Sequence, residues 1–526
     1  MTGALATAGP LHHMSRHPPP CEDNGSHMNI SFTNARARVL TGATVAAFLA
    51  STSAHALEGK ALFDALIGKA KDVSVTYDSV EESGPASFTL KGVTWNNADG
   101  SVTKAPEMVF EEFREDGETF SFARVFAPTF TTVAKNGAVT EGAGLESTGG
   151  SAPAALLEGD LEGAKNGRMK LGSLSVGNLK TDNDQDGTFE SSLGGMVLKD
   201  ADVPLDWRYT PEQISAASGP AAAPLTIDSF AITDIAFTDP NNGVTFELGN
   251  FSFGGVNLPT TLEAEPLDWA KVYDDISIDG LKAARGDKPF LSWDTLTATV
   301  TEASESVVNS TSELKNLFLD LEQAPNADPQ QIQALKDLGY AQLRVDARGD
   351  GSYDVQSGRV AIDNLTLDVA DLAELSMSYV MTGYTPEVAR TINQLSAAQS
   401  AGQGPDLGKM FEVLSNLKLE SMNVALKDDS GTRKILDYFA AQQGTTGDQV
   451  ANMAPIMISA AMRQIQAPEF TKEVSDAVAT YLKNPGTLKV SVNPEAAPTF
   501  SQIVQSALQS PKFVIDLLDV KVEATN

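Results

Sequence analysis

The chain has 526 residues, with 69 acidic against 38 basic side chains and a net charge of −31. Such an acidic surface repels nucleic acid and anionic membranes. All five histidines and the one cysteine, Cys21, precede residue 57, so the rest of the chain lacks Ser-His-Asp and Cys-His nucleophilic sites, His- or Cys-based zinc, disulfides and histidine pH switching.

The N-terminus reads as an export signal. Met28 starts a better basic region than Met1, with Arg36 and Arg38 before the apolar run Val39–Leu49 and the small-x-small sequence Ala54-His55-Ala56. This predicts cleavage between Ala56 and Leu57 and a periplasmic or secreted product. The apolar run is short for a membrane anchor, and no later segment is apolar for long enough to span a bilayer, so no transmembrane segment is expected after cleavage.

Leu57–Lys71 has the spacing of a short amphipathic helix that packs on the apolar side of a sheet. Strands are predicted from Val73 to about Thr131. Residues 136–167, rich in Gly, Ala, Ser and Glu, read as a flexible loop. Asp182, Asp184 and Asp186, with Gly187 and Glu190, resemble a calcium loop, because alternate carboxylates can turn onto one hard cation. The position for a bidentate glutamate holds Leu193, and a polar hairpin turn explains the same residues.

The most informative stretch is Leu225–Leu258. Its apolar residues recur as apolar-x-apolar, two small or polar residues, then apolar-x-apolar, so strict strand alternation slips by one residue in every five. A β-bulge at each two-residue step would keep the apolar side chains on one face. The pattern is found nine times, including Phe88-Leu90-Val93-Trp95, Met169-Leu171-Leu174-Val176, Ile276-Ile278-Leu281-Ala283, Val360-Ile362-Leu365-Leu367 and Phe513-Ile515-Leu518-Val520. It predicts one large sheet with a single apolar face. Phe230, Ile232, Ile235, Phe237, Phe246, Phe251 and Phe253 are the candidate lining of an apolar groove on that face; ordinary core packing is the plainer account of them.

Pro204-Leu205-Asp206-Trp207 recurs at Pro266–Trp269. Arg285-Gly286-Asp287 recurs at Arg348–Asp350, where both copies, and Asp350-Gly351 after them, read as turns. Ser304–Gln323 and Pro329–Leu338 are predicted as a helical pair. Helices are expected again at 386–399 and 407–414, and through most of the last hundred residues. There Met453–Met462, apolar nearly all round, predicts a buried helix covering the sheet, with lipid contact as the alternative. Phe513–Val522 is expected as a closing strand.

No phosphate-binding loop or dinucleotide fingerprint is present. Catalysis would rest on carboxylates such as Asp274 and Asp275, and neighbouring aspartates on a strand point to opposite faces. A non-enzymatic protein is therefore expected, with a carboxylate hydrolase as the third reading.

The repeated strands resemble those of the AsmA-like and YdgA-like proteins of the Gram-negative envelope, over roughly residues 80–250 and 270–430, and the C-terminal part is similar to secreted families of unknown function. The resemblance implies a curved β groove and a role in lipid handling or envelope integrity. The expected fold is α+β and mainly β: a large curved, antiparallel, bulged sheet partly covered by helices. Its expected parts are an N-terminal extension and signal (1–56), a β-rich repeat domain (57–300), a helical insertion (301–340), a continuation of the β region (341–430) and a helical C-terminal part (431–526). The expected function is a soluble exported envelope protein that binds lipid or another hydrophobic ligand, with lipid or envelope components as partners and no nucleic acid. A calcium-dependent structural or adhesive protein is the alternative.

Overall fold

A computed structural model describes residues 59–67, 74–97, 99–157, 167–182, 190–205, 224–239, 243–258, 270–323, 329–400 and 406–526. The signal region, most of the candidate calcium loop and the second Pro-Leu-Asp-Trp lie outside them.

One antiparallel meander runs through the described residues. Helix α1 (Gly59–Ile67) precedes β1 (Ser74–Thr76), β2 (Ser79–Gly84), β3 (Ser87–Asn96), β4 (Val102–Glu111), β5 (Arg114–Asp116), β6 (Thr119–Val133) and β7 (Val139–Pro153). After α2 (Ala154–Leu157) come β8 (Arg168–Asp182), β9 (Glu190–Pro204), β10 (Leu225–Asp239), β11 (Val244–Leu258), β12 (Asp275–Arg285), β13 (Lys288–Glu302) and β14 (Val307–Asp320). Helix α3 (Pro329–Asp337) leads to β15 (Gln342–Asp354), β16 (Arg359–Val369) and β17 (Ala373–Thr382). The C-terminal part interleaves α4 (Pro386–Ser400), α5 (Leu407–Asn416), β18 (Lys418–Asp428), α6 (Gly431–Gln442), α7 (Gly447–Ala461), α8 (Pro468–Lys483), β19 (Thr487–Val492), α9 (Phe500–Gln509), α10 (Pro511–Leu518) and β20 (Val520–Thr525).

All twenty strands of the described residues belong to one open sheet. Its long strands pair with their sequence neighbours, β1 and β2 share one edge of β3, and β20 forms the other end by pairing with β19.

The slip in apolar spacing is a real feature of the backbone. In β3 the buried residues are Phe88, Leu90, Val93 and Trp95, so burial itself follows the two-three-two spacing. Left-handed residues recur along the long strands: Gly92 and Gly280 are the second residues of central pairs in the repeats, and Gly144, Gly149, Asn178, Asp200, Asp234, Gly255 and Asn316 have positive φ at other points in the strands. Gly, Asn and Asp tolerate that conformation best. The sequence pattern alone suggested inserted bulge residues. Between β10 and β11 the register instead holds from Leu225↔Leu258 to Asp239↔Val244 without a shift. The neighbouring strand makes its own three-residue step at the same level, so both strands change phase together. Register shifts do occur elsewhere, as between β15 and β16 at Asp350/Gly351.

Several expectations are corrected. Residues 139–153 form β7, a full strand, where a loop was expected. Its glycines make room for rings: Gly142 lies under Phe130 and Gly150 under Phe122, each pair directly opposite across β6 and β7. Residues 307–320 form β14, paired on both sides, so the sheet passes through the region read as a helical insertion, and only α3 of that pair is helical. Most of the ninth repeat, Phe513–Leu518, is in helix α10, with Ser510 capping the Lys512 N–H and Pro511 at its start, and the closing strand begins only at Val520. Proline is preorganised for the first helical turn, and the cap satisfies a free donor. Arg285-Gly286-Asp287 is a turn, with Gly286 at φ 58°. Arg348-Gly349-Asp350 lies inside β15, as does Asp350-Gly351, and Arg348 bonds Asp350 at 3.0 Å.

Helix α1 packs as expected on the apolar face. Its Phe63 is buried, with ring centroids 5.6 Å from Phe88 and 5.1 Å from Phe110. At the other end, α4, α5 and α9 share a small core of Val388, Val413 and Leu417 with Phe500 against it. Helix α8 guards the final edge, where the Val522 N–H donates to Glu473 Oε1 at 2.7 Å. An unpaired edge N–H is otherwise a template for another strand. Helix α7 departs from expectation: Met453, Ile456 and Met457 are exposed rather than buried against the sheet.

Candidate functional site

The structure brings the seven predicted groove residues together. Phe230 pairs with Phe253, Ile232 with Phe251, and Phe237 with Phe246, while Ile235 pairs with Leu248. Directly opposed residues share a face. Phe230 stacks on Phe253 at 4.9 Å and meets Phe251 edge-on at 6.3 Å. None of the seven is fully buried, and Phe237 is exposed.

Their cluster is one part of a longer feature. Following directly opposed pairs outward from Ile232 and Phe251, one path runs through Met196 to Val176 on β8. In the other direction it runs through Ile278, Leu296, Leu314, Ala347 and Leu367. It then continues through Leu375, Leu426 and Leu488 to Ala524 on β20. Every side chain on this path is apolar. At the usual strand spacing, thirteen strands give a ladder of roughly 55–60 Å along the sheet.

Two polar side chains on this face have hydrogen-bond partners. Trp293, opposite Leu281, donates its indole N–H to the Ile278 carbonyl at 3.1 Å. Tyr353, opposite Val360, donates its hydroxyl to the Tyr384 carbonyl at 3.0 Å. Burial pushes the Tyr353 phenol above its ordinary value, so it stays a neutral donor.

Exposure changes along the ladder. Val176 and Met196 are buried, the β10–β15 members are half-buried with Val345 beside them buried, and the Leu367–Leu375 pair is 40% and 41% exposed. Leu365 and Val490, neighbouring members of the same face, are also exposed. The apolar surface is therefore most accessible around β16 and β17.

The opposite face carries the polar residues. Thr299 and Thr311 bond across strands at 2.6 Å, and Asn250 donates to Asp279 at 3.0 Å. One carboxylate there braces a kink directly. Asp346 accepts the Asn316 N–H at 2.7 Å, and a methyl on Gly194 would lie 2.8 Å from the Asp234 Cβ. Part of the acidic excess is thus structural, a role that spacing alone did not reveal.

The remaining candidates do not converge. Asp182 and Glu190 face each other at the ends of β8 and β9, while Asp184 and Asp186 lie outside the described residues. Among the described residues no group of three or more His, Cys, Asp or Glu is placed to hold a metal. Asp274 pairs with Lys271 at 3.0 Å, and Lys271 also reaches Glu302 at 3.2 Å. These bonds, led by the one to Asp274, raise the lysine above its ordinary value. Asp275 sits on β12 beside Gly254. A surface depression of about 790 Å³ lies among Asp287, Lys288, Phe318, Asp320 and Lys336, away from all seven groove residues.

A family model described only as an uncharacterized protein matches residues 366–525, from β16 to β20. No curated protein matches the chain. Among the described residues no helix is long and apolar enough to cross a membrane.

Proposed function

We propose that this chain is an exported, non-enzymatic protein of the cell envelope that holds lipid, or another hydrophobic ligand, along the apolar face of its sheet. The observation that carries the reading is the uninterrupted apolar path from Val176 to Ala524, with its most exposed pair at Leu367 and Leu375. A monomer gains by covering such a surface, and a contiguous apolar strip of this extent marks a binding site more often than a bare face. Acyl chains suit it because the path offers no charge and no free hydrogen-bond donor to a polar ligand. The signal-like sequence around Arg36 and Ala56 supports export, and the likeness of the strand repeats to AsmA-like and YdgA-like proteins supports a lipid role in the envelope.

The test is native mass spectrometry with lipid extraction on protein exported by its own signal and purified without detergent. Lipid at near-stoichiometric amount is the expected result. A clean ligand-free mass would overturn the proposal.

A further inference from the structure

The apolar face is broken at β14 and β15. Beside the path described above, a second row of directly opposed residues runs from Leu174 on β8 through Phe230 and Phe253 to Ala298 on β13. It resumes at Leu365 on β16 and stays apolar to Val522 on β20. Between the two halves stand Ser312 and Gly349. One step further along the strands, Ser310 and Gly351 stand between Val300 and Ile362. Ser310, Ser312 and Leu314 alternate along β14, so both hydroxyls belong to the apolar face.

Three features make this break a polar subsite. The hydroxyls are accessible and uncommitted: both serines are exposed, and neither has a hydrogen-bond partner among the described residues. Gly349 keeps one of them clear. A methyl there would stand 2.8 Å from the Ser312 Oγ, with Leu365 next at 3.6 Å and no backbone atom in reach. Its φ is not left-handed either. Glycine weakens a strand interior, and where no turn or bulge calls for it, it marks a close approach by another group. Gly351 differs, because it serves the bulge at Asp350/Gly351, where a methyl would meet the Ala361 carbonyl at 2.7 Å.

The third feature is charge. Glu313 pairs with Lys315 at 2.7 Å and Arg348 with Asp350 at 3.0 Å, all on the opposite face. Glu302, on the same face opposite Val308, is held by Lys271 at 3.2 Å. The break therefore offers hydroxyl donors without a free cation to hold a carboxylate or phosphate. Beyond it the apolar face is at its barest, with Leu365, Leu367, Leu375 and Val490 between 36% and 41% exposed. They lie on β16 to β19, within four strand spacings of β15, about 19 Å. An ordinary acyl chain covers that span.

We propose that Ser310 and Ser312 donate to the uncharged ester or amide carbonyl of an acyl lipid whose chain lies across β16 to β19, over Leu365, Leu375 and Val490. The inference rests on the proposed lipid role and deepens it. The ligand is bound through a neutral acyl linkage, which a free fatty acid and a hydrocarbon both lack.

The test loads the exported full-length protein, delipidated on a hydrophobic resin, with diphenylhexatriene and displaces that probe with monolaurin, laurate or dodecane. Monolaurin is expected to act at about tenfold lower concentration than the other two. The pair Ser310→Ala and Ser312→Ala is expected to bring monolaurin to the dodecane level and leave dodecane unchanged. Gly349→Ala is expected to weaken monolaurin alone, by crowding the Ser312 hydroxyl. Both serines are exposed, so folding should survive, and a far-ultraviolet spectrum checks each variant. Equal displacement by monolaurin and dodecane in the natural protein overturns the inference and leaves the apolar path standing. So does a preference for monolaurin that survives in either variant, or laurate as the best competitor, which would require a cation at the site. A protein that takes up no probe and no competitor removes the lipid reading, and this inference with it.

Discussion

Leu367 and Leu375 face each other across β16 and β17, and both stand open on the face that buries Val176 and Met196 further back. The same uncharged surface is thus covered at β8 and β9 and accessible at β16 and β17. Replacing both leucines by aspartate places two like charges directly opposite each other on that surface. Because both sites are already wet, the stability cost should stay below about 2 kcal/mol. Co-purified lipid should fall several-fold, as read by extraction and mass spectrometry; unchanged lipid would place the ligand elsewhere.

Phe230 and Phe253 stack at 4.9 Å across β10 and β11. Each single change to alanine should cost about 2–3 kcal/mol, less than a fully buried ring because both are half-buried. The double-mutant cycle should show a coupling of about 0.5–1.5 kcal/mol. Urea unfolding measures all three, and additive losses would mean that the stacking contributes nothing beyond area.

Asp234 has φ 53° at the kink of β10. Asparagine or glycine should be tolerated there within about 0.5 kcal/mol, whereas valine should cost about 1–3 kcal/mol. A valine variant as stable as the natural protein would show that the kink can relax.

The Val522 N–H at the sheet's final edge donates to Glu473. Glu473→Ala should cost about 1–2 kcal/mol and expose an edge donor. Faster self-association on mild heating, followed by light scattering, is the expected sign; Glu473→Gln should restore much of the protection because its amide oxygen can still accept.

Asp99 is held below the ordinary carboxylate value first by the Ser101 hydroxyl and then by the Ser101 N–H, at 2.7 and 2.8 Å. Asp354 is lowered chiefly by the Ser357 hydroxyl at 2.8 Å. A carboxylate lowered in the folded state stabilises fully above its unfolded value, about 4, and the contribution fades as pH falls through the folded value. Melting temperature should therefore fall below about pH 4. The double variant Asp99→Asn and Asp354→Asn should show a shallower acid slope, with little difference between the two proteins in how stability varies near neutrality. An unchanged slope would assign acid sensitivity to other groups.

Much of the sheet was legible because its apolar residues keep a two-three-two spacing that no simple strand shows. The same spacing explains the largest error. In β14, Leu314, Leu317 and Phe318 sit three and four apart, which is also a helical interval, and only pairing to β13 and β15 resolves the ambiguity. The converse holds at Phe513–Val520, where the spacing fits a kinked strand but Ser510-Pro511 starts a helix. In β7 the glycines looked like a linker because their partners, Phe122 and Phe130, lie twenty-eight and twelve residues earlier in the chain.

The seven candidate residues were legible in sequence because each is apolar within a phased segment. Their continuity with β8 and β20 was not, since it depends on which residue faces which across twelve strand boundaries. By itself, the sequence determined that this is a one-sided, mainly β protein without histidine or cysteine chemistry after residue 56, because composition and local periodicity act within a few residues. Only the tertiary structure decided where that apolar face is covered, where it opens at Leu367 and Leu375, and that α7 turns Ile456 outward. Burial depends on contacts between distant segments, and no local pattern encodes which of two apolar helix faces finds a partner.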